Sequence, residues 1–374
     1  CLINNSNKNV FENFIFTTEY SHYRYQEYPY DQFISQQQTF FPHSKKTSIK
    51  LQKKCKEQLT PIIFDDARQD YITTAKRLAK RLDDMEVDVA VFHEEHLLNT
   101  LICRLCKVPL KVFYNHTSLP LTHDYDLTIL QHTKEITYQQ QLYKKDKNKF
   151  TANEYPLIQE NTSSKPLNIR QRFRLPQSAK ILATTCNHLN ARLSPEMTWV
   201  VAEALRKHPD LYFIALGHPP TNFVNEQFKK FLDIVPKIIF PGFLSNPLRY
   251  LKNCDLYLND FPIGGTLNVV EALSSNIPVI SYFDPHENPK SHYAGHLIGK
   301  EHCFTTPEEA IDKISLLLES EEEYNKAVEH IKSCAQKTPS KKEFTQKFEE
   351  IIINSLSTIK NTPYPTNSLL TANT

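Results

Sequence analysis

Length, composition and charge leave many enzyme classes open and argue against several other kinds of protein. The chain has 374 residues, 40% of them hydrophobic, which is enough for two or three domains with real cores. Its 44 basic and 42 acidic residues give a net charge of +2, so nothing favours nucleic acid or an acidic membrane as a partner. No run approaches the ~20 apolar residues that a membrane-spanning helix needs.

The cysteines favour a reducing compartment, so we expect a cytoplasmic protein. The eight cysteines are scattered, and Cys103 and Cys106 form the only CxxC, with no second pair at zinc spacing. The HEEH run at 93–96 is one residue short of the HExxH zinc motif, so we predict no metal site. The first residue is Cys1 rather than methionine, which is consistent with a piece of a longer protein.

The first half of the chain alternates apolar strands with amphipathic helices. Residues 1–60 are polar but aromatic, with one candidate strand at 11–17, and belong either to the first domain or to a preceding one. Residues 61–165 are predicted to form a first Rossmann-like domain, and the polar stretch 134–178 is interpreted as its end and a linker. Its predicted strands are 61–65, 87–92, 110–114 and 124–129, and its helices are 70–86 and 97–106.

His116 follows the end of the strand at 110–114. Ligands of α/β sheets bind at the carboxyl ends of strands, which makes this histidine a candidate site residue. The alternative is a histidine that only makes structural hydrogen bonds.

The second half, 178–356, is predicted to form a second Rossmann-like domain, followed by a frayed tail at 357–374. One helix is expected to begin at Pro195 with Ser194 as its cap, and another at Pro247 with Asn246 as its cap. The predicted strands are 179–185, 211–216, 237–240, 255–259 and 279–282, and the other helices are 223–232, 267–275, 308–318, 321–334 and 344–356. The polar segment 284–292 is expected to be a loop.

The turn Gly264-Gly265-Thr266 joins a strand end to a helix N-terminus. Two residues that tolerate positive φ, followed by the free N–H groups of a first helical turn, make a candidate anion site. Glu271 lies one turn further along, too deep for a phosphate ligand but able to accept hydrogen bonds from a ribose diol. The alternative is a βαβ crossover with a glycine-rich turn and no ligand.

Residues 180–282 resemble the C-terminal domain of GT-B glycosyltransferases. The chain is most similar to the O-linked N-acetylglucosamine transferases and the bacterial cytosolic adhesin N-glycosyltransferases. The resemblance implies an α/β fold of two Rossmann-like domains, with helix-flanked parallel sheets facing across a cleft, and a last helix that returns to the first domain. His116 matches a histidine of the adhesin enzymes.

The resemblance also implies a donor site for a nucleotide sugar. It places the diphosphate on the Gly264–Thr266 turn, the ribose on Glu271 and the uracil beside the loop at 241–244. Arg192 stands where the O-linked transferases have a basic residue, usually lysine, that contacts the diphosphate. The implied donor-binding residues are Arg192, Phe243, Leu244, Arg249, Gly264, Gly265, Thr266, Leu267, Asn268 and Glu271.

These expectations describe a hexosyl- or N-acetylhexosaminyltransferase that uses a UDP-sugar as co-substrate and needs no other cofactor. His116 is the candidate catalytic base, and the acceptor is a protein or a glycan. Retaining GT-B enzymes often carry a second glutamate eight residues before the ribose glutamate, and Ile263 at that place favours inversion. The alternatives are a non-catalytic GT-B module that binds a nucleotide or a partner protein, and a nucleotide-sugar 2-epimerase.

Overall fold

The protein divides into two compact units, each with a parallel sheet of its own. The first unit comprises the described residues up to Asn153 together with those from Lys342 onward, and the second runs from Glu154 to Lys341. The computed structural model describes residues 7, 9–12, 15–18, 62–65, 70–93, 97–115, 125–133, 135–137, 140, 149–158, 167–186, 189–217, 222–242, 244, 246–262, 264–284 and 289–361.

The first unit contains a two-stranded and a four-stranded sheet, and every pairing in them is parallel. Strands β1 (Ile15–Thr18) and β2 (Ile62–Asp65) pair with each other. The larger sheet has the order β3-β4-β5-β6, with β3 at Val89–His93, β4 at Leu110–Tyr114, β5 at Leu127–Leu130 and β6 at Phe150–Ala152. Helices α1 (Tyr71–Asp84) and α2 (Leu97–Leu105) precede β3 and β4.

Helix α1 shows how the sequence sets these elements. The Asp70 side chain accepts a hydrogen bond from the Thr73 N–H at 2.9 Å, which caps the first turn. Residues three and four apart share one face of a helix, so the apolar residues of α1 line one side. The apolar residues buried on that side are Ala75, Leu78, Ala79 and Leu82.

The second unit is built on a five-stranded parallel sheet with the order β11-β10-β7-β8-β9. Its strands are β7 (Lys180–Cys186), β8 (Leu211–Gly217), β9 (Ile238–Ile239), β10 (Leu256–Leu258) and β11 (Val279–Ile280). Its helices are α3 (Ile169–Arg172), α4 (Leu189–Arg192), α5 (Pro195–Lys207), α6 (Asn222–Lys229), α7 (Leu248–Leu251), α8 (Thr266–Ser275), α9 (Pro289–Ile298), α10 (Pro307–Glu319) and α11 (Glu321–Lys337), with 3-10 turns at Val235–Lys237 and Lys300–His302.

Both faces of this sheet are covered by helices, because its strands are apolar on both sides. Along β7, Leu182 packs in a core cluster that includes residues of α5 and α10. Its neighbours Ile181 and Ala183 point the other way, into a cluster that includes residues of α8 and α11. The α/β class with two helix-flanked parallel sheets, expected from the sequence, is confirmed.

The last helix, α12 (Lys341–Asn361), belongs to the first unit from Lys342 onward. The Asn153 side chain donates a hydrogen bond to the Phe344 carbonyl at 3.1 Å. The rings of Tyr114 and Phe348 lie 6.1 Å apart, which packs α12 against the end of β4. No helix of the described part of the chain has a stretch long and apolar enough to cross a membrane.

The structure corrects three local predictions. The expected linker at 134–178 contains strand β6, whose three residues are too few for a visible pattern, and the short helix α3. The helix expected at Pro247 begins at Leu248, with Pro247 rather than Asn246 at the cap position. The expected loop at 284–292 leads into helix α9, which begins at Pro289.

Candidate functional site

The candidate site lies at the carboxyl ends of three neighbouring strands. After β9 the chain crosses back to place β10 on the other side of β7, so the order of strands reverses between β7 and β10. Open α/β sheets bind ligands at such a switch point, outside the carboxyl ends of the strands. A pocket of about 90 Å³ lies there, lined by Thr185, Cys186, Leu216, Gly217, Leu244, Pro247, Leu267, Asn268 and Glu271.

The two glycines of the turn after β10 are needed for space. A Cβ on Gly264 would lie 2.5 Å from Asn259 Nδ2, and one on Gly265 would lie 2.7 Å from Asn268 Nδ2. Gly265 has φ −91°, and Gly264 also lacks a positive φ. The expected use of positive φ at this turn is therefore wrong, and close approach of neighbouring side chains explains the glycine pair.

Helix α8 begins at Thr266 and aims its first N–H groups out of its N-terminus. The Gly265 N–H donates to Asp260 Oδ1 at 3.2 Å, and the Asn268 side chain donates to the Thr185 carbonyl, which ties the first turn to the end of β7. The first turn of α8 carries no acidic residue. The positive end of the helix dipole therefore favours an anion here.

Glu271 lies one turn further along α8, on the side that faces the pocket. Its Oε2 accepts a hydrogen bond from the Thr185 hydroxyl at 3.2 Å, and that hydroxyl lies 3.3 Å from the hydroxyl of the buried Tyr257. Burial raises the pKa of Glu271 to about 7, although the hydrogen bond from Thr185 lowers it. A carboxylate held in a small pocket with few donors is well placed to accept hydrogen bonds from a diol.

Arg192 is the last residue of α4, just after the end of β7. Its guanidinium lies 3.3 Å from Oδ2 of Asp260, whose side chain is 1% exposed. Burial raises the pKa of Asp260 to about 6, while Arg192 and the Gly265 N–H lower it. Arg192 is thus joined through one carboxylate to the glycine turn.

The other predicted donor-binding residues divide into three groups. Leu244, Leu267 and Asn268 line the same pocket as Glu271, so the structure brings these four together. Arg249 lies on α7 and is not among the described residues that line the pocket. Phe243 and the candidate base His116 lie outside the described residues, as does Ile263, on which the argument for inversion depends.

The sequence did not identify two residues of the site. Thr185 ends the predicted strand at 179–185, and Asp260 directly follows the predicted strand at 255–259. Polar residues at strand ends that meet at one sheet edge are a usable signal. The sequence does not give the strand order, so it could not show that these two ends are neighbours.

No protein-family model matches this chain. No curated protein matches it either.

Solved structures with the same fold do exist. HepE of Anabaena in complex with UDP and glucose superposes with a TM-score of 0.65 at 13% identity, covering 81% of this chain and 89% of that one. A UDP-forming trehalose-phosphate synthase of Burkholderia xenovorans gives 0.59 at 11% identity, covering 79% and 81%. The O-GlcNAc transferase of Thermobaculum terrenum gives 0.56 at 14% identity, covering 81% and 60%. The chain therefore has the fold of the GT-B glycosyltransferases.

Proposed function

We propose that this protein transfers a sugar from a UDP-sugar to an acceptor. The observation that carries the proposal is the placement of Glu271, a carboxylate facing a pocket at the switch point, one turn inside a helix whose N-terminus is open to an anion. A nucleoside diphosphate has both a diol and a diphosphate, one for each of these two features. The sugar that the donor carries on its β-phosphate then lies outside the pocket.

Each part of the donor has a proposed partner in the second unit. The diphosphate accepts hydrogen bonds from the first N–H groups of α8 and from Arg192, since a guanidinium fork suits phosphate oxygens. The ribose hydroxyls donate to Glu271. The uracil lies beside Leu244, which lines the pocket. Phe243, its other predicted partner, lies outside the described residues.

The proposed reaction breaks the bond between the anomeric carbon and the β-phosphate oxygen. The electron pair leaves with UDP, and the helix N-terminus and Arg192 stabilise the added negative charge without a metal or another cofactor. A hydroxyl or amide of a protein or glycan acceptor attacks the anomeric carbon from the opposite face, which inverts it. Its proton passes to His116 as general base.

The named ligands of the structural neighbours support UDP as the leaving group. HepE was solved with UDP and glucose, and the Burkholderia enzyme is described as UDP-forming. We also propose that the transferred sugar is a hexose or an N-acetylhexosamine. The proposed location of the protein is the cytoplasm.

A donor panel tests the proposed function. The protein is incubated with UDP-glucose, UDP-galactose and UDP-N-acetylglucosamine, with and without a peptide or glycan acceptor library. We expect release of UDP from one donor and a product heavier by one sugar, and Glu271→Gln as the matched control releases much less. The anomeric proton of the product, followed by NMR, reports inversion or retention.

The same panel separates the alternatives. A non-catalytic module binds UDP and leaves all three donors intact. A nucleotide-sugar 2-epimerase converts a donor into its C2 epimer and glycosylates no acceptor. Either result would replace the transferase proposal.

A further inference from the structure

We propose that Asp260 is the positioning residue of the diphosphate site, aligning Arg192 and the glycine turn through one buried carboxylate. The inference rests on the proposed function, since it assigns a role within that donor site. Asp260 itself does not contact the donor. It acts through Arg192 and the glycine turn, which do.

The Asp260 carboxylate contacts both Arg192 and the glycine turn. Its Oδ1 accepts the Gly265 N–H at 3.2 Å, and its Oδ2 lies 3.3 Å from the Arg192 guanidinium. The next residues along each segment, Leu193 and Phe261, form a parallel β-bridge, which fixes the two segments side by side. Arg192 and the turn are therefore held in register by the backbone and by the carboxylate together.

The physical benefit is preorganisation. A guanidinium has five N–H donors, so a contact with Asp260 leaves others for a phosphate. An arginine already held in one orientation loses less conformational freedom when the diphosphate binds. Burying the Asp260 carboxylate costs stability, and its pairing with the partly exposed Arg192 offsets that cost only in part, so a role in binding accounts for the pair better than a role in folding.

The charge of Asp260 is open to control by pH. Among the described residues, the charged or titratable groups that face it are Arg192 on α4 and the phenol of Tyr257 on β10, and the Gly265 N–H and Asn268 amide beside it are neutral. Burial raises the pKa of Asp260 to about 6, so the carboxylate is ionised at pH 8 and largely protonated at pH 5. Protonation of Asp260 removes the electrostatic attraction between its carboxylate and the Arg192 guanidinium.

The test compares UDP affinity of wild type and Asp260→Asn by calorimetry at pH 8 and pH 5. We expect the variant to bind UDP about tenfold more weakly at pH 8, the scale of one lost contact between charged groups. At pH 5 the ratio should approach one, because wild-type Asp260 is then neutral as well. Protonation of UDP and of Glu271 changes the UDP affinity of wild type and of the variant alike. These changes therefore cancel in the ratio of the two affinities. A ratio that is the same at both pH values overturns the proposal.

Two further variants show whether the effect passes through Arg192. In an Arg192→Ala background, Asp260→Asn should change UDP affinity little, and additive losses contradict the positioning role. Asp255→Asn is the matched control, because Asp255 pairs with Arg170 at 2.7 Å at the other end of β10. It should leave UDP affinity unchanged, and a loss equal to that of Asp260→Asn sinks the proposal.

Failure of the inference and failure of the proposed function give different results. If wild type binds no UDP at either pH, the donor site itself is wrong. If wild type binds UDP and the pH-dependent ratio is absent, only the role of Asp260 is wrong. Should Asp260→Asn show no cooperative unfolding transition, Asp260→Ser, also uncharged, takes its place in the same titrations.

Discussion

Glu271 is a half-buried carboxylate that lines the pocket. The Thr185 hydroxyl donates one hydrogen bond to it, and burial still raises its pKa to about 7. Ionising such a group costs stability, and the cost is lowered when ribose hydroxyls donate to the carboxylate. Ribose binding therefore favours the ionised form of Glu271, whereas the stability of the unliganded protein favours the protonated form.

We expect Glu271→Gln to remove a pH dependence of stability. The folded-state pKa of about 7 lies above the ordinary 4.5, so the folded protein binds this proton more tightly than the unfolded chain does. The free energy of unfolding of wild type therefore falls as pH rises from about 4.5 to about 7. Between pH 5 and pH 8, the variant should gain about 2–3 kcal/mol relative to wild type.

Denaturant unfolding of both proteins at the two pH values measures this difference. Glu226→Gln, at an exposed position of α6, is the control for loss of a carboxylate. A stability difference between Glu271→Gln and wild type that does not change with pH would show that the Glu271 carboxyl titrates normally.

The candidate site depends most on the first turn of helix α8. Its N-terminus follows Gly265, and Asn268 in its first turn is bonded to the end of β7. Asn276 caps the C-terminus of the helix and adopts the left-handed conformation with φ 55°. These contacts fix where the open N–H groups of the helix point.

Gly265→Ala should disturb that turn with a limited effect on the fold. The added Cβ would meet Asn268 Nδ2 at 2.7 Å, and moving Asn268 breaks its bond to Thr185. We expect UDP affinity to fall by about tenfold, equivalent to one lost hydrogen bond of ~1.4 kcal/mol. Calorimetry measures the affinity, and thermal unfolding measures the fold.

Gly299→Ala provides the comparison, because Gly299 has φ +85° and lies outside the pocket lining. It should cost about 1 kcal/mol of stability and leave UDP affinity unchanged. Unchanged affinity in Gly265→Ala would mean that the turn does not carry the diphosphate.

The sequence predicted most of the described elements, including the short strands β9, β10 and β11, and missed strand β6 and the start of helix α9. The α5 helix was expected from Ser194 and Pro195, and the Ser194 side chain does cap it, accepting from the Met197 N–H at 3.0 Å. Strand β6 was missed, since three residues carry no readable alternation. In the site, the position of Glu271 followed from helical spacing, whereas Asp260 depended on a strand order that local patterns do not contain.

For the whole molecule, the two units carry separable parts of the proposed reaction. Every proposed contact to UDP comes from the second unit, and the candidate base His116 follows β4 of the first. His116→Ala should therefore keep UDP affinity and lower the rate of transfer by about 10²–10⁴-fold. Binding and turnover are measured on the same preparation.

The rival role for His116 is an orienting one, in which UDP affinity and turnover are lost together. Full turnover without His116 would remove it as the base. The next candidates would then be His93 at the end of β3, and Glu94 and His123, which lie outside the described residues.

A ribose and a diphosphate are proposed to bind at the switch point between β7 and β10. The most direct test of this proposal is the affinity of UDP and of 2′,3′-dideoxy-UDP for wild type and Glu271→Gln, measured by calorimetry. We predict that wild type prefers UDP by about tenfold or more, and that Glu271→Gln binds both ligands equally weakly. Equal binding of the two ligands to wild type, or no binding of UDP at all, would show that no ribose is held by Glu271.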